Sequence, residues 1–329
     1  MRGPRPTPHA SGSRWCRFTL PFSVLAVVFV GIVALCVMAC FESPPSQDRE
    51  EEDGPADRFG LIQVSYEEHR VPGGAKPQLH ASGLFVRHVG LSRSSVLSLL
   101  DQSPTPVPGM DTVEVGQCVL QSRDLGRPNE DADGYVELMD AGVVGMELGP
   151  RVTRLQHRYW PDRQGYVEGL SYEGALPARS APVATGFLTL TGSGSPRVGN
   201  FMVRLAVPPV PRLLTLNDEP ITSIWADVDF DQDLELGWVA AETAPEQAGP
   251  VYVELAVMHF DRTSSLVCVA PDSGRFTLPR ETLQRLEQVV TPDATVRLVM
   301  RRAAGSAFAA AGLQTGRALF VSRDSVLLR

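Results

Sequence analysis

The chain has 329 residues, 43% of them hydrophobic, and its 30 basic residues face 38 acidic ones for a net charge of −8. That balance excludes a protein built to grip nucleic acid or anionic lipid through charge, since both need a basic surface. The 29 Gly and 27 Pro are scattered as turn punctuation, not gathered into low-complexity blocks, and the length allows two ordinary domains.

The first element is a leader. Arg2, Arg5, Arg14 and Arg17 precede the uncharged run from Phe18 to Ala39. A basic start followed by an apolar run is an export signal or a membrane anchor, its basic end held in the cytoplasm. The run closes on Val37-Met38-Ala39-Cys40, which resembles the lipobox of bacterial lipoproteins: a branched residue at −3, a small residue at −1, then the cysteine. The resemblance implies cleavage before Cys40 and acylation of its thiol and freed amine; stable anchoring takes more than one chain. The alternative is an uncleaved single-pass helix. A signal core runs about 7–15 residues, whereas about 20 apolar residues span a bilayer. Residues 1–39 hold four arginines and no acid, so the remainder is more acidic than the whole chain. Residues 40–57, mostly Pro, Ser, Gly and acid, cannot bury enough surface to order themselves and read as a flexible acidic tether. Phe41 after the cysteine, in place of Asp, implies the outer membrane under the lipoprotein sorting rule.

From residue 60 onward, alternation dominates. Ile62, Val64 and Tyr66 alternate with Gln63, Ser65 and Glu67; Phe201, Val203, Leu205 and Val207 repeat the pattern, as do Leu234, Leu236 and Trp238. Val296, Leu298 and Met300 form another such set. Period-two spacing in short runs between Gly, Pro and Asp turns predicts half-buried antiparallel strands. Further strands are expected at 79–88, 136–148, 165–173, 186–192, 251–260, 265–270 and 317–328. Helices are expected only at Ser94–Leu100 and Arg280–Val289, the second with Pro279 in its first turn and Glu281 near its positive end. The fold class is therefore all-β. The Pro-rich segment 207–211 (VPPVP) is short of backbone donors and is expected to make a stiff hinge, a natural domain boundary. A β-sandwich domain is expected at 58–206 and a second at 212–329, the latter immunoglobulin-like in size and strand count, with a buried tryptophan.

Two blocks, Leu138-Met-Asp140-Ala141-Gly142 and Cys268-Val-Ala-Pro-Asp272-Ser-Gly274-Arg-Phe276-Thr-Leu-Pro279, resemble features of uncharacterised secreted lipoproteins of delta-proteobacteria. The resemblance implies location and an all-β fold and carries no activity.

Candidate sites are few. Cys16, Cys36 and Cys40 fall in or beside the leader, which leaves Cys118 and Cys268. In an oxidising compartment these two can form a disulfide. Each also sits in an apolar strand pattern where a free cysteine is at home. The stretch Asn129–Asp140 places oxygen side chains at loop positions 1, 3 and 5 (Asn129, Asp131, Asp133), Gly134 at the sharp turn, Glu137 at 9 and Asp140 at 12. Such spacing suits a hard cation such as calcium. An acidic loop leading into a strand, with Asp140 serving the fold, is the plainer reading. The ladder Asp227, Asp229, Asp231, Asp233 reads as a solvated turn. His69 and His80 could meet across a hairpin with Glu67 and hold zinc. No G-x-S-x-G, H-E-x-x-H, P-loop, G-x-G-x-x-G or C-x-x-C occurs. The expectation is a cell-envelope lipoprotein presenting a binding or structural surface to a protein or glycan, with no required cofactor. The alternatives are a cell-envelope hydrolase acting on glycan or peptide and a calcium-stabilised adhesion module.

Overall fold

The alternating segments fold as pleated strands. The computed structural model describes residues 56–71, 74–100, 102, 107, 113–124, 134–160, 167–177, 186–242, 249–258, 262–288, 290 and 294–329. The leader, Cys40, nearly all of the tether and three of the proposed calcium ligands (Asn129, Asp131, Asp133) lie outside them.

Among the described residues the first element is a long hairpin, β1 (Asp57–Val71) and β2 (Gly74–Val89), followed by helix α1 (Arg93–Leu99). The side chain of Ser92 caps that helix by accepting from Ser95 N at 3.1 Å. Next come β3 (Cys118–Asp124), β4 (Tyr135–Leu138), β5 (Val144–Leu148), β6 (Arg151–Arg154), β7 (Gln156–Trp160) and β8 (Val167–Pro177). β9 (Phe187–Gly192), β10 (Phe201–Ala206), β11 (Leu213–Leu216), β12 (Glu219–Pro220) and β13 (Trp225–Ala226) follow. The last third holds β14 (Leu234–Trp238), β15 (Val251–Met258), β16 (Arg262–Ala270), β17 (Arg275–Leu278), helix α2 (Arg280–Glu287), β18 (Thr295–Phe308) and β19 (Thr315–Leu328).

One large sheet runs β3-β16-β15-β18-β19-β1-β2-β4-β8-β7, with β13 added against β19. Two four-stranded sheets, β10-β9-β5-β6 and β12-β11-β14-β17, cover two parts of it. The first core is filled by Ile62, Val64, Tyr66, Phe85 and Tyr172 from the large sheet against Met146, Leu188, Leu190, Phe201 and Val203 from the small one. The second sets Val253, Leu255, Leu266, Leu298 and Met300 against Leu213, Leu234, Leu236, Trp238 and Leu278, with Leu283 and Leu286 of α2 closing one side. Burying one such side chain is worth about 1.5–3 kcal/mol. A third cluster lies on the opposite face of the large sheet, where Phe59, Leu61, Leu84 and Val86 take Val96, Leu97 and Leu100 of the α1 region.

The fold is all-β and sandwich-like, as the alternation predicts, but the division at 207–211 is corrected by the structure. Residues 53–329 form one compact unit. β1 pairs in parallel with β19, Phe59 opposite Thr315 through Glu67 opposite Arg323. β3, from the first half of the sequence, closes the far edge of the second core by pairing with β16. The long strands β18 and β19 serve both cores: Val296, Leu298, Met300, Val326 and Leu328 face the second, Phe308, Ala318 and Phe320 the first. Strands shared in this way join the two halves on either side of that segment.

The Pro-rich segment is held down by its carbonyls. Ser322 Oγ donates to Pro208 O at 2.6 Å, Arg302 Nη1 donates to Pro209 O at 3.1 Å, and Asp324 Oδ2 accepts from Leu213 N at 2.8 Å. Proline removes donors but leaves acceptors, and side chains of β18 and β19 use them. The sulfurs of Cys118 and Cys268, residues directly opposite in the β3–β16 register, are bonded.

Candidate functional site

A dense polar constellation sits where β4 leaves the large sheet. β4 ends at Leu138, and the next five residues turn toward β5. Asp140 Oδ1 accepts from Gly142 N and from the Tyr172 hydroxyl, both at 2.8 Å, while that hydroxyl accepts from Ala141 N at 2.7 Å. The turn needs Gly142, whose φ is +74° and where a Cβ would lie 2.2 Å from Gly194 O. His157 stacks edge-on against Tyr172 with ring centres 5.0 Å apart, its Nε2 3.3 Å from Gly142 O.

The loop 193–199 packs on this turn. Ser195 Oγ donates to Asp140 O at 2.6 Å and accepts from Arg197 N and Val198 N. Ser193 Oγ accepts from Val143 N at 2.8 Å. Arg197 then reaches Glu137 in an ion pair, and Arg87, opposite Glu137 in the β2–β4 register, approaches it at 3.5 Å. Glu168 stands beside Glu137 on the parallel neighbour β8 and accepts from the Tyr135 hydroxyl.

The electrostatics follow from these contacts. Burial alone would push the Asp140 carboxyl up, but the Gly142 and Tyr172 hydrogen bonds and the nearby His157 outweigh it and hold the carboxyl below its usual value. Burial, helped by the bond to Glu168 and its charge, pushes the Tyr135 phenol up to about 12. The Tyr172 phenol is raised as well, by burial first and then by its bond to Asp140 and that group's charge, against the Ala141 bond.

Asp140, His157, Ser193 and Ser195 come from four separate stretches, and this juxtaposition is a finding of the structure. Each serine hydroxyl accepts from backbone N–H groups, and Ser195 gives its proton to a carbonyl. The arrangement therefore locks a turn and does not set up a serine–histidine relay. Asp140 serves the fold through Tyr172 and Gly142, and Glu137 is engaged by two arginines, so two of the oxygens expected for calcium have protein partners. No group of three or more His, Cys, Asp or Glu that could hold a metal occurs among the described residues. The zinc pairing is corrected by register. Ser65 lies opposite His80, His69 opposite Lys76, and Glu67 is buried between Arg297 and Arg323, so the two histidines stand four residues apart along the hairpin.

Sequence reasoning missed a second surface. β6 closes the edge of one four-stranded sheet and β7 the edge of the large sheet, and the two are one extended stretch, Arg151–Trp160. Leu155 alone turns inward, donating to Val144 O at 2.9 Å and filling the space over Gly174. Nearly every other side chain faces out, so the segment lacks the two-faced contrast that reveals a strand.

No protein-family model matches the chain, and no curated protein matches it.

Proposed function

We propose that this is an exported protein tethered to a membrane through Cys40, at the outer membrane of the cell envelope, which presents its sheets as a binding surface to a protein or glycan. The observation that carries the reading is the Cys118–Cys268 bond. Disulfides persist in oxidising compartments outside the cytosol. A leader that starts basic, runs apolar from Phe18 to Ala39 and closes on a lipobox-like cysteine supplies the route there. The acidic residues after Cys40 then act as a leash between lipid and sheets.

The test is the mass of the mature N-terminus together with detergent partitioning. The expected product begins at Cys40, carries acyl chains, and loses its membrane association on Cys40→Ala. Recovery of residues 1–39 on the mature protein would leave a helical anchor in place of the lipid.

A hydrolase reading draws on one feature, the neighbouring carboxylates Glu137 and Glu168 with Tyr135 beside them. Glu168→Gln would abolish cleavage of an envelope glycan if that pair were catalytic. A calcium-stabilised module draws on the Asn129–Asp140 spacing, and a melting temperature unmoved by calcium or chelator would dismiss it.

A further inference from the structure

On the face of the large sheet turned away from both cores, three guanidiniums share the surface with an exposed indole. We infer that this face binds an acidic glycan, seating a uronate carboxylate on Arg297, Arg301 and Arg323 and the sugar ring on Trp225. The step rests on the binding-surface reading above and names its ligand class. Register places the residues. Arg297 and Arg301 alternate on β18 with Leu298 and Met300, which fill the second core, so the arginines face away from it. Arg301 lies directly opposite Arg323 on β19, and Arg323 opposite Glu67 on β1. Leu327 of β19 lies opposite Arg297 on one side and Trp225 of β13 on the other. Ala226 packs on the second core, so Trp225, 40% exposed, shares the face of the arginines. Two strand spacings, about 10 Å, separate Trp225 from Arg297.

The arginines have charge and donors to spare. Glu67 takes both Arg297 and Arg323, and Glu254 takes Arg301, so three cations meet two carboxylates and one positive charge is left over. Arg301 Nη1 and Arg323 Nε, both shut off from water, have no acceptor. Arg301 and Arg323 are also like charges directly opposite each other, an arrangement that destabilises a strand pair. Burial first, and then the charges of Arg301 and Arg297, hold the Arg323 guanidinium below its ordinary value against the pull of Glu67. The side chains of Arg297 and Arg323 stay partly open to solvent, at 31% and 35% exposure, so a ligand can reach them. A uronate meets this shortage. Its carboxylate brings one negative charge and a planar pair of oxygens, the geometry that matches a guanidinium fork. Its pyranose ring offers a flat C–H face to the indole, which a bare anion would leave unused.

The experiment titrates the full chain in detergent, at low salt, with a trisaccharide of galacturonate, read by calorimetry. The expected result is saturable binding that weakens about tenfold in Arg301→Gln and in Trp225→Ala and tightens about tenfold in Glu254→Gln. The opposite signs follow from the charge count, since Arg301→Gln leaves no surplus cation and Glu254→Gln leaves two. Equal affinities in those two variants would overturn it. Trp225 is exposed, so Trp225→Ala should keep the wild-type melting temperature and tests the site even where an arginine variant fails to fold. The methyl ester of the trisaccharide, which has the rings without the charge, should not bind, and equal binding would overturn the role of the carboxylate. Inorganic phosphate that binds as tightly as the trisaccharide, or an unmoved affinity in Trp225→Ala, would overturn the sugar and leave a bare anion site. A peptide of Glu and Ser that binds more tightly would assign the face to a protein and overturn the choice of ligand. A lipidated protein that ignores the trisaccharide sinks this inference alone; a protein that binds it but bears no lipid sinks only the anchor.

Discussion

Arg302 donates to both carboxylate oxygens of Asp272, from Nε and Nη2 at 2.7 Å each, with neither side chain more than 2% exposed. The rest of the capacity of the pair is also used. Arg302 Nη1 and Nη2 reach Pro209 O and Val239 O, and Trp238 Nε1 donates to Asp272 Oδ1 at 2.9 Å. A buried ion pair costs about as much in desolvation as it returns, but breaking one side leaves an uncompensated charge and costs about 3–5 kcal/mol.

Arg302→Met should therefore destabilise the protein by about 3–5 kcal/mol in urea titration. The double change Arg302→Met with Asp272→Leu should cost less than Arg302→Met alone, because no buried charge is stranded. A single-variant cost below about 1 kcal/mol would mean that the site hydrates and that the Pro-rich segment is not held through it.

The disulfide leads to a second prediction. Its cysteines are 150 residues apart, so reduction frees a long loop in the unfolded chain. Loop-closure arguments put the loss near 5 kcal/mol as an upper figure, with about 2–4 typical. Cys118→Ala with Cys268→Ala should lower stability by that amount, and wild-type protein in reductant should match the double variant. Equal denaturation midpoints with and without reductant would show that the bond does not form in solution.

Much of this architecture is legible in the residues, and the failures have physical causes. The alternation at 62–66, 201–205 and 234–238 and the largely apolar run at 251–257 mark strands because one face of each meets a core. The expected strand 136–148 is really β4 and β5, split by the Asp140 turn, whose Gly142 is the signal that could have divided it. The two cores follow the two halves of the sequence, but their fusion does not show in it. The pairing of Glu67 with Arg297 and Arg323 joins residues more than 200 positions apart, and nothing local to Glu67 announces it. The hinge reading of 207–211 failed because proline carbonyls remain acceptors whose partners lie on β18 and β19.

Acid should act on the Asp140 turn. A carboxyl held below its ordinary value in the folded protein contributes stability that is fully present above that ordinary value and is lost as pH falls through the lower folded one. Asp140→Asn should flatten that part of the acid limb when stability is measured between pH 5 and pH 2. Tyr172→Phe removes one of the donors, so the carbon-13 titration of Asp140 should shift upward toward the ordinary value. An unmoved titration in Tyr172→Phe would show that the hydroxyl does not reach the carboxylate.

Gly142 tests whether the turn and the loop 193–199 are one unit. Its φ of +74° is strained for any residue with a side chain, and a Cβ there would meet Gly194 O at 2.2 Å, a backbone atom that cannot rotate away. Gly142→Ala must therefore push the loop off the turn or twist the turn itself, at an expected cost of about 1–3 kcal/mol. Loosening should appear first as faster amide exchange of Val198 and of Val143, whose N–H groups are bonded to Ser195 and Ser193, before global stability falls. The mirror change, Gly149→Ala, also has positive φ but meets nothing within 4 Å. It should cost only the backbone strain and leave both of those amides protected, so equal exchange in the two variants would refute the docking of the loop on the Asp140 turn.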